Sequence, residues 1–200
     1  GTVGHGLSTA PDIIISKSRT TTHHWWLHGK EIGDDDTDYM LLYTTDALVT
    51  ASDVITSIDS TTFSIGTNAH INTSSHEYIN YCFHSVTGYS SFGSYTGSGA
   101  SGKKITTGFK PAFILIRRYD ASQNWVLLDT TRDADGIVTT FLVADGTDAE
   151  TDHIQVKTQI DSDGFTLLTG YDIVNSGEYI YMAFADKREY AYWLDQSGNN

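Results

Sequence analysis

Short apolar stretches recur along the chain at intervals of roughly 8–15 residues, each bounded by Gly, Asp, Asn and Ser, and this rhythm predicts strands. Trp25–His28, Tyr39–Tyr43, Thr62–Ile65, Trp125–Leu128, Ile137–Val143, Ile154–Val156 and Phe165–Leu168 are of this kind, rich in β-branched and aromatic residues. Phe113–Ile116 is an unbroken apolar run led by Pro111, which suits a strand buried on both faces. In Glu77–Phe83 and Glu178–Phe184 the period is two. One face carries Ile, then Tyr or Met, then Phe; the other carries Tyr, then Asn or Tyr, then Cys82 or Ala183. Asp135-Gly136 and Asp163-Gly164 read as turns, because glycine accepts the positive φ that other residues resist. No stretch has convincing helical periodicity, residues 44–56 being the nearest to an exception. The expected fold is all-β, an antiparallel β-sandwich of jelly-roll or lectin-like type.

A second pattern overlies the first. Pro11-Asp-Ile-Ile-Ile-Ser-Lys17 lies over Pro111-Ala-Phe-Ile-Leu-Ile-Arg117, Trp25 over Trp125, and Leu27 over Leu127. Asp46-Ala47 lies over Asp148-Ala149, Ile58-Asp59-Ser60 over Ile160-Asp161-Ser162, and Glu77-Tyr78-Ile79 over Glu178-Tyr179-Ile180. Matches in unchanged order indicate a tandem duplication, residues 1–96 and 97–200. Two arrangements follow: one sandwich of pseudo-twofold symmetry, to which each copy donates half, or two small sandwiches in tandem. The first is preferred. Between the copies, residues 88–96 are too aromatic for a spacer and read as a short strand or ordered crossover, followed by a mobile Gly-Ser loop at 97–102. Positions shared by the copies are apolar or turn-forming. Trp25 and Trp125 therefore read as core, Trp26 as turned to the opposite, outer face, and Cys82 as a small half-buried filler.

Charge narrows the partners. With 12 Lys+Arg against 25 Asp+Glu the formal net charge is −13, spread over both halves, which argues against nucleic acid. A hydrophobic fraction of 39% is enough for a core. The single cysteine forbids an intrachain disulfide. No apolar run approaches the roughly 18 residues of a membrane span, and no signal-peptide pattern is present, so no membrane insertion is expected.

His5–Lys17, Tyr78–Phe83 with Val86–Gly97, Thr107–Arg117 with Asn124-Trp125, and Tyr179–Ala185 resemble a repeat-containing domain family of tail-fibre and other virion structural proteins of marine bacteriophages, especially those of cyanobacteria. Gly88-Tyr-Ser-Ser-Phe-Gly-Ser-Tyr-Thr-Gly97 is the most specific stretch; His23-His24, Asp34–Asp38 and the ending Tyr190–Asp195 depart from the pattern. The resemblance implies an extracellular virion appendage, with other virion subunits and a host-surface glycan or receptor as partners, and the surface strands and aromatics suit symmetric contacts with further copies of the chain. It implies no catalytic residues. Opposite Ser94–Lys110 the first copy offers only Gly1–Ala10, so the natural polypeptide is expected to continue upstream of Gly1.

Candidate chemistry is sparse. His23, His24 and His28 offer imidazoles to zinc, but on a strand His23 would oppose the other two. Asp34, Asp35, Asp36 and Asp38 suggest calcium without the alternating order of a calcium-binding loop, and the neighbourhood of Asp133, Asp135, Asp145, Asp148 and Asp152 is similar. No other cofactor is expected. Glu77 and Glu178 are too alike in setting to be the acid and base of a glycosidase, whose environments must differ. No nucleophile elbow or Walker spacing occurs. Aromatic rings remain, suited to stacking on sugars or to subunit contacts, with Trp26, Tyr89, Tyr95 and Trp193 the candidate ligand-binding positions. The expected protein is a non-enzymatic module for host attachment, with assembly of subunits and then polysaccharide hydrolysis as alternatives.

Overall fold

The computed structural model describes residues 1–33, 36–133 and 135–186. Eighteen strands follow in order. The first eight are β1 (Thr2–Gly4), β2 (Ile13–Ser18), β3 (Trp25–His28), β4 (Asp38–Leu41), β5 (Val49–Thr50), β6 (Ile55–Ile58), β7 (Thr62–Ile65) and β8 (Tyr78–Phe83). Then come β9 (Ser90–Thr96), β10 (Lys103–Thr106), β11 (Pro111–Arg118), β12 (Val126–Asp129), β13 (Ile137–Val138) and β14 (Thr140–Val143). The last are β15 (Thr151–Asp152), β16 (Thr158–Asp161), β17 (Gly164–Leu167) and β18 (Glu178–Ala185). The one helical turn among the described residues is a 3-10 turn at Ile154–Val156, so residues 44–56 form no helix and instead carry β5 and the start of β6.

Every strand pairing among the described residues is antiparallel. Four sheets result, with orders β1-β7-β6, β5-β4-β3-β2-β8, β15-β14-β12-β11-β18-β9 and β10-β17-β16-β13. Registers at matched places correspond. Ile14 faces Cys82 across β2 and β8, and Ile114 faces Ala183 across β11 and β18. One strand crosses the boundary between the two halves: β9 precedes residue 97 in sequence but is hydrogen-bonded along its length to β18.

The apolar side chains sort into three cores, and these fix the layering. Ile14, Trp26, Val54, Ile55, Ile58 and Phe63 fill the space between the two sheets of the first half. Ile114, Ile116, Val126, Leu128, Phe165 and Tyr179 do the same in the second. The third core joins the halves. Ile13, Leu27 and Met40 from β2, β3 and β4 meet Phe92, Trp125, Ile180 and Met182 from the other large sheet. The molecule is thus a stack of four sheets, two sandwiches set back to back rather than the single sandwich preferred from the sequence. Each such buried side chain contributes roughly 1.5–3 kcal/mol, so the middle interface is as substantial as a domain core. The alternation expected in Glu178–Phe184 is obeyed: Ile180, Met182 and Phe184 face the middle core, Tyr179, Tyr181 and Ala183 the outer one.

Polar ties reinforce the joint. Arg117 is fully buried and donates to the carbonyl oxygens of Leu41, Thr44 and Asp46 in the first half, while its guanidinium lies 5.4 Å from the centre of the Trp125 ring. The Leu48 amide donates to the Tyr119 carbonyl oxygen at 2.8 Å.

Three sequence expectations are corrected here. Trp26 is not turned outward: it is 4% exposed and packs against Tyr39 at 4.5 Å, because the face it shares with Ile14 is covered by the small sheet of the first half. Tyr95 is buried as well, stacked on Tyr179 at 4.9 Å with its hydroxyl donating to the Val174 carbonyl at 2.6 Å. The Gly-Ser loop at 97–102 is held in place. Buried Asn175 accepts from the Ser98 amide and donates to the Ala100 and Thr169 carbonyls, while Gly99 and Gly102 take positive φ to make the bend.

Candidate functional site: an open aromatic and imidazole cleft

The face of the first large sheet that carries Ile13 and Leu27 continues past the edge of the middle core, and there Trp25 emerges 38% exposed. Trp125 occupies the equivalent place in the second half and is buried beneath Arg117. The two tryptophans differ in cover, Trp25 being exposed and Trp125 buried, which corrects the expectation that both are core. Trp25 stacks on exposed Tyr81, with ring centres 6.4 Å apart and planes 22° from parallel.

Beside Trp25 lies a cleft of about 350 Å³ lined by Lys17, Thr22, His23, His24, Trp25 and Tyr43. The turn after β2 supplies its floor. Ser18 Oγ accepts from the Thr21 amide, and Lys17 Nζ donates to the Ser18 and Thr21 carbonyls at 3.0 and 3.4 Å, which holds the ammonium at the rim. Tyr43, 45% exposed, is hydrogen-bonded to His24 Nδ1 and stacked on that imidazole at 5.2 Å. The loop at 66–76 brings two further imidazoles. His70 Nδ1 lies 3.1 Å from His23 Nδ1, and the ring of His76 is 6.0 Å from that of His23. Desolvation by these neighbours, and then the positive charges that His70, His76, His24 and Lys17 bear or acquire, pull His23 below the ordinary imidazole value.

Sequence reasoning grouped His28 with His23 and His24; the structure separates it. His28 is fully buried beside Trp26 and Tyr39, and burial lowers its pKa to about 3. His70 and His76 take its place, from a loop whose His70 lies 47 residues beyond His23, which spacing within one motif could not reveal. Of the other ligand candidates, Tyr89 is exposed at the turn before β9 and is not among the residues that line this cleft. Trp193 lies outside the described residues.

Asp34 and Asp35 also lie outside them. Asp36 and Asp38 are engaged by the chain itself: Asp36 accepts from the Ile58 amide at 3.1 Å, and buried Asp38 from the Thr50 hydroxyl at 2.5 Å. In the second acidic neighbourhood Asp133 accepts from the Thr139 and Thr140 amides, and Asp145 from the Trp125 amide. Such carboxylates act as turn caps. Among the described residues no three His, Cys, Asp or Glu side chains are grouped to hold a metal ion.

A larger cleft, about 700 Å³, opens between the halves and is lined by Gly33, Asp38, Leu48, Thr50, Tyr119, Asp120 and Glu178 among others. Its acids are spoken for. Arg118 donates to both oxygens of Asp120, at 2.6 and 3.1 Å, and this bond first of all holds the carboxyl below its usual range. Glu178 accepts from Thr96 at 3.0 Å, while its counterpart Glu77 pairs with Arg19 at 3.1 Å on the surface.

Fold and site together define an all-β protein of stacked antiparallel sandwiches with an open aromatic cleft on one large sheet. The chain belongs to the family described as Domain of unknown function (DUF7483), whose profile matches residues 1–188. No curated protein and no solved structure matches it.

Proposed function

We propose that the protein is a non-catalytic binding module that takes a carbohydrate in the cleft around Trp25. The observation that carries this reading is the exposed indole itself. A tryptophan stacked on Tyr81 and open to solvent offers the flat apolar surface that the C–H face of a pyranose covers, and its rim is polar where the ring hydroxyls of a sugar would point. Lys17 and Thr22 supply donors, and His24 and Tyr43 supply groups that both donate and accept. A shallow, preformed cleft with two aromatics binds single sugars weakly and gains from repetition, which suits a module present in several copies on one particle. The resemblance of the sequence to virion appendage proteins supports host-surface attachment as the setting, with the glycan as the host's contribution.

The test is a glycan array followed by calorimetric titration of any hit, on the native chain and on Trp25→Ala and Tyr43→Ala. Loss of at least about tenfold in affinity in each variant, with unchanged thermal unfolding, is the expected result. An array without hits, or hits indifferent to both substitutions, would remove the reading.

A further inference from the structure

Half of the 8 histidines of the chain meet at one place. His23 and His24 line the cleft from the turn before β3, and His70 and His76 reach it from the loop at 66–76, the rings of His24 and His70 lying 5.9 Å apart. Lys17 completes the group. The chain as a whole carries 25 Asp+Glu against 12 Lys+Arg, yet among the described residues no carboxylate lines this cleft. Two acids adjoin the loop, and both are engaged: Glu77 pairs with Arg19 at 3.1 Å, and Asp53 accepts from the Asn68 amide nitrogen at 3.2 Å.

The fold does not require imidazoles here. In the second half Gln123 and Asn124 stand where His23 and His24 do, and they donate to carboxylates: Gln123 to Asp172 at 2.9 Å, Asn124 to Asp145 at 3.4 Å. One backbone plan therefore carries acids in one half and bases in the other. The loop that delivers His70 and His76 is also unusual. Ser75 has φ of +70°, the one non-glycine residue among the described ones in the left-handed region, and side chains are rarely held there without a local reason. His76 follows it, its Nδ1 buried and without a hydrogen-bond partner.

The chemistry of the group favours an anion. His23 Nδ1 and His70 Nδ1, 3.1 Å apart, can be joined by a single proton, so protonating both rings sets two donors and two charges against each other. Lys17 Nζ gives two of its three N–H groups to the Ser18 and Thr21 carbonyls, which leaves one for a ligand.

We propose that the sugar taken in this cleft is an acidic one, a pyranose bearing carboxylate or sulfate, whose anion lies against Lys17, His23 and His24 while its ring covers Trp25. This rests on the carbohydrate reading of the cleft and adds the charge of the ligand to it. The titratable groups that face the cleft are Lys17 on β2, His23 and His24 before β3, Tyr43 after β4, and His70 and His76 in the loop. Acidification therefore adds imidazolium charge. A bound anion offsets the repulsion among these cations, so binding takes up protons and strengthens as pH falls through the imidazole range.

The native chain on an array of neutral and acidic glycans at pH 6.0 is expected to retain acidic ones alone. For the tightest acidic hit, calorimetry compares the glycan with its carboxyl-methylated or desulfated form. Removing the charge is expected to weaken binding at least about tenfold, and Lys17→Met to do the same with unchanged thermal unfolding. The charged glycan should bind at least about fivefold more tightly at pH 6.0 than at pH 8.0, with net proton uptake, and His23→Gln should reduce that difference. Hits confined to neutral glycans, equal affinity for the charged and neutral forms, or affinity indifferent to pH would each overturn the proposal. Where neutral hits are still lost in Trp25→Ala, the carbohydrate reading stands without it. An array blank for both kinds of glycan would remove both.

Discussion

Arg117 and Trp125 form a buried cation and ring pair, 5.4 Å from guanidinium carbon to ring centre, at the joint between the two sandwiches. The sequence equivalents of this pair are Lys17 and Trp25, which sit at the surface and line the candidate cleft. A cation stands beside an indole in both places, and what separates them is the segment at 41–46 whose carbonyls receive the guanidinium.

Arg117→Met tests the buried pair. The substitution leaves three carbonyl acceptors without their donor and removes the tie between the halves, so unfolding in urea is expected to show a loss of about 3–5 kcal/mol. Arg117→Lys should recover only part of it, since one ammonium cannot reproduce the planar fork. A loss under about 1 kcal/mol for Arg117→Met would show that the joint does not depend on this side chain.

The adjacent tryptophans of β3 should behave in opposite ways. Trp26→Ala empties a filled core position and is expected to cost about 3–5 kcal/mol. Trp25→Ala, at the surface, is expected to stay within about 1 kcal/mol of the native chain while abolishing binding in the cleft. Chemical denaturation of both variants distinguishes them.

His28 makes stability depend on pH in a defined direction. Its folded pKa is lowered to about 3 from an unfolded value near 6.5, so the unfolded chain binds the proton and the folded chain does not. The contribution is intact above the unfolded value and is lost as pH falls from about 6.5 toward 3, by about 2 kcal/mol at pH 5. His28→Phe should flatten this part of the curve of melting temperature against pH, and an unaltered slope would assign the acid sensitivity elsewhere.

Asn175 bonds to both sides of the Gly-Ser loop. Asn175→Ala leaves the Ser98 amide and the Ala100 and Thr169 carbonyls without their partner, and a loss of about 2–3 kcal/mol is expected. Faster hydrogen exchange at Ser98 would locate the effect in the loop, and exchange equal to that of the native chain would show the loop to be held by its other contacts.

Strand positions and the faces of β8 and β18 were legible in the sequence because alternation with period two is a local property of the backbone. The Trp25 and Trp26 assignments inverted for a reason of a different order. Equivalence between copies predicts which way a side chain points, but cover depends on what lies above it, and the two halves meet different neighbours. Tyr95 was chosen for its ring, and its cover comes from the close packing of β9 on β18: a Cβ at Gly93 would lie 2.9 Å from the Tyr181 ring. His70 was invisible because its approach to His23 spans 47 positions of chain and depends on the loop at 66–76 folding under β3.

Because β9 precedes residue 97 in the chain and completes the sheet that follows it, scissors placed at the apparent seam would give neither half its proper complement. A fragment ending at 96 would carry a strand with no sheet to join, and its partner would expose the flank of β18. Both would also bare the wall of Ile, Leu, Met and Phe that they press together in the whole molecule. For this protein the smallest piece worth expressing is the pair, and engineering by module should exchange both sandwiches at once.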